Sequence, residues 1–361
     1  MGKRLVLCCD GTWNRPDQEC DGSPCPSNVV KMALAVAGGS HLGTEQLVYY
    51  QRGVGTNWDE RIRGGAFGWG LSRGVKAVYR FVVENYEPGD ELFFFGFSRG
   101  AYMARSTVGL IRNAGILKPE HADQIEAAYA LYRERTVGPR DLESTLFRRA
   151  FSHPLEPVTF VGVWDTVGAL GIPVTGIPGV EQLNRLWGFH DTKLSSMVEA
   201  AYQALAIDEH REAFTPAIWD PATASASDQV VEQVWFTGSH SDVGGGYADT
   251  GLSDLTLGWM ADRARSHGLV LVDGAFEPGG TGDPESEVVP FEPSPYGTLH
   301  NSRTGLYRFL PANVRRIGEA SPTTEYAAST AIERRNNDPG YDPANLAAYL
   351  VGSHQVMPVP T

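Results

Sequence analysis

Five apolar runs rich in β-branched and aromatic residues constrain this chain most. They are Arg4–Cys9, Gln46–Arg52, Glu91–Phe97, Val158–Trp164 and Glu232–Thr237. Each is apolar nearly throughout rather than alternating, as strands are when a parallel sheet is covered on both faces. Helical spacing lies between them. Asn28–Ala37 follows a Pro/Ser loop, with Ser27 or Asn28 as its cap. Gly74–Tyr86 aligns Val75, Val78, Tyr79, Val82 and Val83; Ala101–Arg112, Ala122–Arg133 and Leu255–Ser266 follow. Leu194, Met197, Val198, Ala201 and Leu205 give Leu194–Ala206 the same spacing, so it too is expected to be helical. The alternation predicts an α/β fold, a mostly parallel doubly wound sheet with helices on both faces. Residues 167–192 are rich in Gly and Pro and read as a cap-like insertion; residues 272–300 read as irregular. One domain over 1–361 with those two insertions is the expected organisation.

Composition removes some function classes. With Lys+Arg 30 and Asp+Glu 43 the net charge is −13, which argues against generic duplex nucleic-acid binding. No apolar stretch approaches the roughly 18–20 residues of a membrane-spanning helix, so membrane contact would be peripheral. The run after Lys3 and Arg4 is cut at Asp10, too short for a signal-peptide core. Val6 stands where myristoylation of Gly2 would want Ser or Thr. The expected location is cytoplasmic, with signal-less secretion open; the oligomeric state is not set. Cys8 and Cys9 read as buried small hydrophobes. Cys20 and Cys25 share a polar loop that could hold a small disulfide, but the cytoplasmic reading favours reduced cysteines. Their spacing suits no zinc site, and no metal is expected.

The strongest motif is Gly96-Phe97-Ser98-Arg99-Gly100, a G-x-S-x-G placed between an apolar strand and a helix. Such an elbow sets a serine on a sharp strand-to-helix turn. Gly96 and Gly100 let strand and helix approach, and the helix N-terminus favours developing negative charge.

A serine nucleophile needs a base, and the base needs an orienting acid. The run Val158–Trp164 ends at Asp165, and Glu232–Thr237 is followed by Gly238-Ser239-His240-Ser241-Asp242. Ser98, Asp165 and His240 thus come in the order Ser, acid, His, each just past a strand. His300 is the alternative base; His190 and His210 are weaker rivals. Asp242 could orient a base but lies too near His240 in sequence to be its default partner. The oxyanion of an acyl transfer needs backbone donors. The amide of Arg99 supplies one. Thr12, or its neighbour Trp13, supplies the other from the loop after the first strand, where Gly11 lets the backbone turn in and Asp10 holds the loop.

Two other chemistries fail on the residues. Phosphatases opening on D-x-D-G-T need an aspartate where this chain has Cys8. Gly64–Gly74 lacks the spacing of G-x-G-x-x-G, and no G-x-x-x-x-G-K-[ST] occurs, so no cofactor is expected.

Five blocks together resemble a known family. They are Cys9-Asp10-Gly11-Thr12-Trp13-Asn14, Gly96–Ala101, Trp164-Asp165-Thr166-Val167-Gly168, Leu205–Arg211 with Phe214, and Trp235-Phe236 followed by His240–Tyr247. The family is the uncharacterised α/β-hydrolase domain that includes type VI secretion phospholipase effectors and many bacterial and fungal proteins. The resemblance spans roughly residues 4–310. It implies an α/β-hydrolase fold and a Ser98–Asp165–His240 esterase or phospholipase. It also implies a structural cluster of Asp208, Glu209 and Arg211 near the site. Effectors of this kind carry extra membrane-anchoring segments, for which this chain has little room.

The expected function is hydrolysis of carboxylic esters, small-molecule or lipid, through an acyl-enzyme. Apolar side chains in 167–192 would flank the cleft. A non-catalytic binding module, or a thioesterase or peptidase with the same residues, are the alternatives. A phospholipid substrate would need a local basic patch, for which Arg61, Arg63 and Arg73 are candidates.

Overall fold

A computed structural model describes residues 2–12, 14–20, 22–39, 43–53, 66–134, 136–168, 194–220, 228–277, 291–352 and 354–361. Trp13, Arg61, Arg63, His190, most of the 167–192 insertion and part of 272–300 lie outside these residues.

The chain opens with β1 (Arg4–Cys9), a small hairpin of β2 (Glu19–Cys20) and β3 (Ser23–Pro24), then α1 (Asn28–Ala35) and β4 (Gln46–Gln51). Next come α2 (Ala66–Asn85), β5 (Glu91–Phe97), α3 (Arg99–Ala114), α4 (Ile125–Arg133) and α5 (Leu142–Phe151). They are followed by β6 (Val158–Trp164), β7 (Val198–Ala206), β8 (Val230–Phe236), α6 (His240–Gly244) and α7 (Gly251–Ser266). Then follow β9 (Glu325–Ala328), α8 (Ser329–Asn337), α9 (Ala344–Val351) and β10 (Val356–Met357). Eight strands form one sheet in the order β10-β9-β8-β7-β6-β5-β1-β4, all paired in parallel.

The apolar runs form the expected strands because both faces of the sheet are covered. In β1, Val6 and Cys8 enter one core with Val29 and Met32 of α1 and Trp259 and Met260 of α7. Leu5, Leu7 and Cys9 enter the other, with Val78 and Val82 of α2 and Met103 and Leu110 of α3. Phe93, Phe94 and Phe95 of β5 are fully buried on alternating faces, and each contributes about 1.5–3 kcal/mol of hydrophobic stabilisation. The expected doubly wound α/β sheet is therefore what forms.

Three expectations change. Residues 194–206 are not a helix: Val198–Ala206 is β7, between β6 and β8. Its alanines fill narrow spaces on both faces, and tertiary pairing overrides their helix propensity. The strands β9 and β10 and the helices α5, α8 and α9 extend the fold beyond the expected elements. Finally, Cys20 and Cys25 are joined in a disulfide across the β2–β3 hairpin, where reduced thiols were expected. The antiparallel pair Cys20–Ser23 folds the loop back and leaves the two Cα atoms 5.8 Å apart, within bridging distance. Cys8 and Cys9 are free and buried, as expected. Among the described residues no helix is long and apolar enough to cross a membrane.

Candidate active site

The C-terminal ends of β1, β5, β6 and β8 meet along one edge of the sheet, where a parallel sheet presents its loops. Ser98 leaves β5 at φ 58° and ψ −121°, a conformation L residues avoid, and α3 starts at the next residue. A Cβ on Gly96 would lie 2.6 Å from the Ala101 Cα. One on Gly100 would lie 2.1 Å from the Cys9 carbonyl oxygen. Glycine at both positions is therefore a steric requirement. The second contact also sets the elbow against the loop that follows β1.

Ser98, His240 and Asp165 form one hydrogen-bonded chain. The Ser98 Oγ lies 2.8 Å from His240 Nε2, and His240 Nδ1 lies 2.5 Å from Asp165 Oδ2. An ionised Asp165 can only accept, so Nδ1 carries the proton and Nε2 is left to accept from the serine hydroxyl. All three side chains are buried. The imidazole packs on Phe97, with centroids 4.6 Å apart, and meets Phe214 in a T-shaped contact at 4.9 Å. Burial lowers the His240 pKa below its ordinary 6.5 despite the opposing pull of Asp165. The group is thus a neutral base at neutral pH.

Asp165 sits directly after β6 at φ 40°, its amide bonded to the Ala204 carbonyl. Its Oδ1 accepts from the Ala206 amide at 3.1 Å and from Arg315 Nη1 at 2.6 Å, and its Oδ2 accepts from Arg315 Nη2 at 2.9 Å. Burial alone would raise its pKa, but Arg315 and His240 outweigh burial and hold it below the usual carboxylate range. Arg315 also donates to the carbonyls of Ala206 and Phe214.

A family model described as "T6SS, Phospholipase effector Tle1-like, catalytic domain" matches residues 3–263. The chain belongs to this family. An uncharacterized protein of Saccharomyces cerevisiae is 29% identical over 243 residues, covering 61% of this chain and 33% of the relative. A crystal structure of an uncharacterized Pseudomonas aeruginosa protein aligns at 17% identity and a TM-score of 0.45, covering 81% of this chain and 49% of that one. The Tle1 effector bound to the VgrG spike of a type VI secretion system aligns at 19% identity and a TM-score of 0.37, covering 69% and 52%. This chain thus spans about a third of the yeast relative's length and about half of each solved chain.

The remaining predicted site residues of this Tle1-like chain support the loops around the chain of three. Asp10 is buried, and its Oδ1 accepts from the Gly11 amide, Ser27 Oγ and Asn14 Nδ2, while its Oδ2 accepts from the Tyr50 hydroxyl. It therefore holds the 10–14 loop, carrying Thr12, against α1 and β4. Burial raises the Asp10 pKa even against those four hydrogen bonds. The amide of Arg99 opens α3 beside Ser98.

Asp242 serves two neighbours, neither of them the His240 ring. Its Oδ2 accepts from the Ser239 amide and hydroxyl, capping α6 and so fixing His240 at the first helical position. Its Oδ1 lies 2.6 Å from His300 Nδ1, and the His300 ring stacks on Tyr247. His300 is thus occupied elsewhere, while His240 is the histidine bonded to Ser98. The expected cluster after β7 is partly rearranged. Arg211 forks onto the buried Glu209, which also accepts from the His240 amide at 3.3 Å. Asp208 turns away to the Gly238 amide and the Tyr341 hydroxyl.

Sequence reasoning missed Arg315 and Phe214's packing on the imidazole. Arg315 lies 150 residues beyond Asp165 and outside the family match, in a segment without periodicity. Its local signal is weak: the Arg315-Arg316 pair follows the acid-free run 293–314 and is followed closely by Glu319. Among the described residues, no group of three or more His, Cys, Asp or Glu is arranged to hold a metal ion.

Proposed function

We propose that this chain hydrolyses the carboxylic esters of lipids, phospholipids included, through an acyl-Ser98 intermediate. The observation that carries the reading is the continuous hydrogen-bonded chain from Ser98 through His240 to Asp165, with Ser98 on a strained elbow. The phospholipase name of its family supports a lipid-ester substrate.

In this reading His240 Nε2 takes the Ser98 proton as Oγ attacks the ester carbonyl. Asp165 keeps Nδ1 protonated and stabilises the imidazolium. The amides of Arg99 and Thr12 receive the oxyanion. The imidazolium then gives its proton to the leaving alcohol. Water, deprotonated by the same ring, releases the fatty acid and restores Ser98.

The test is turnover of ester, phospholipid, thioester and amide substrates, with fluorophosphonate labelling of the wild type and Ser98→Ala. Ester and phospholipid cleavage and labelling are expected from the wild type alone. Equal turnover by both proteins would overturn the reading, and dominant thioester or amide cleavage would reassign the substrate.

A further inference from the structure

The chain as a whole is acidic, yet residues 293–318 contain no Asp or Glu and four arginines. Two of the four are occupied: Arg315 on Asp165, and Arg316 on Glu319. Among the described residues Arg303 and Arg308 have no carboxylate partner. Arg303 Nη2 instead donates to the carbonyls of Arg308 and Leu310, bracing the turn Gly305–Phe309. Arg308 is exposed, and Phe309 is 86% exposed, the most exposed aromatic side chain among the described residues.

Arg303 and Arg308 also line a cavity of about 580 Å3, together with His210, Leu299 and His300. Asp208 also lines it. That carboxylate already accepts from the Gly238 amide and the Tyr341 hydroxyl, so its charge is directed to those donors. The turn stands beside the candidate active site. Tyr307 meets Phe214 edge-on, and Phe214 meets His240 in the same way.

We infer that residues 299–312 dock on an anionic phospholipid surface, with the cavity taking a headgroup phosphate and Phe309 entering the acyl boundary. Arginine forks and imidazoles suit a phosphate. A projecting aromatic beside them suits the interface, where one side is apolar and the other charged. A soluble phosphate would use the cavity and leave Phe309 in water. The local arginines also answer the repulsion that a net charge of −13 would otherwise bring to an anionic bilayer. The inference rests on the lipid-ester reading of the Ser98 site. The docking residues lie beyond residue 263, where the family match ends.

The experiment is co-sedimentation of the full chain carrying Ser98→Ala, which leaves vesicles intact. Vesicles of phosphatidylcholine alone are compared with vesicles that also contain phosphatidylglycerol. Binding is expected to the mixed vesicles, to fall with salt, and to weaken about tenfold in either Arg308→Ala or Phe309→Ser. Arg308→Lys retains most of it, and unfolding midpoints stay at the parent value because both side chains are exposed. Absence of binding to mixed vesicles, or binding unchanged by both substitutions, overturns the proposal. So does inorganic phosphate binding that Arg308→Ala weakens in a protein that ignores vesicles: the cavity then serves a soluble anion. Vesicle binding by a protein whose wild type cleaves no ester would sink the hydrolase reading alone.

Discussion

Arg315 holds the Asp165 carboxylate with both terminal nitrogens, at 2.6 and 2.9 Å, inside the protein. The same carboxylate orients His240, so one anion is shared between a permanent cation and a titrating ring. Arg315 therefore sets how much negative charge His240 feels.

Removing the guanidinium as Arg315→Met should have two effects. Stability should fall by about 3–5 kcal/mol, because a buried carboxylate loses its partner. The unshielded carboxylate should also favour the imidazolium, so the acid limb of the pH–rate profile should move to higher pH. Arg315→Lys should restore part of the stability, since it returns the charge without the fork. Urea unfolding and kcat/KM against pH on a short ester check both effects; an unmoved acid limb would refute the electrostatic role. Asp165 itself has a folded pKa below 3.8, so its stabilising contribution is complete above that value and is lost as pH falls through the folded pKa.

Under the proposed mechanism, His240→Gln should lower kcat by about 10⁴–10⁶, the cost of losing a base that acts together with its nucleophile and acid. His300→Gln should cost less than about tenfold, because its partners are Asp242 and Tyr247 and not Ser98. The wild-type acid limb should have its midpoint below 6.5, since burial lowers the His240 pKa and the proposed mechanism uses the neutral ring. Loss of activity in the His300 variant alone would transfer the role of base.

Residues whose positions follow from strand ends were readable in the sequence. Ser98, Asp165 and His240 each follow an apolar run, and parallel pairing brings those ends to one edge. The Leu194–Ala206 run was misread because its apolar spacing fits a helix as well as a strand buried on both faces. Short strands such as β10 carry too few residues for any period. Arg315 was invisible for a different reason: a guanidinium reaching across the fold leaves no local pattern. The Cys20–Cys25 bridge was visible as a possibility, but an assumed compartment outweighed the geometry of the hairpin.

The elbow makes its own prediction. Ser98 holds φ 58° at a strain of roughly 1–3 kcal/mol for a residue with a Cβ. Ser98→Ala keeps the Cβ and the strain, whereas Ser98→Gly removes both. Both variants should be inactive, but Ser98→Gly should be the more stable by about 1 kcal/mol after the entropy cost of glycine in the unfolded chain. Chemical denaturation of the pair measures the difference. A less stable glycine variant would mean that the elbow is not strained.

The last prediction concerns the hairpin disulfide. Closing so short a loop stabilises by about 2 kcal/mol in the chain-entropy account. The bridge lies just before Ser27, which caps α1 and donates to Asp10, so it also stiffens the path to the loop carrying Thr12. Cys20→Ser with Cys25→Ser should lower stability by about 1–2 kcal/mol. The thiol count gives an independent check. Cys8 and Cys9 are fully buried, and burial raises both pKa values, so neither presents a thiolate. The folded, unreduced protein should show no rapidly reacting thiol, and mild reduction should release two. Two fast thiols before any reductant is added would mean that Cys20 and Cys25 are not bridged.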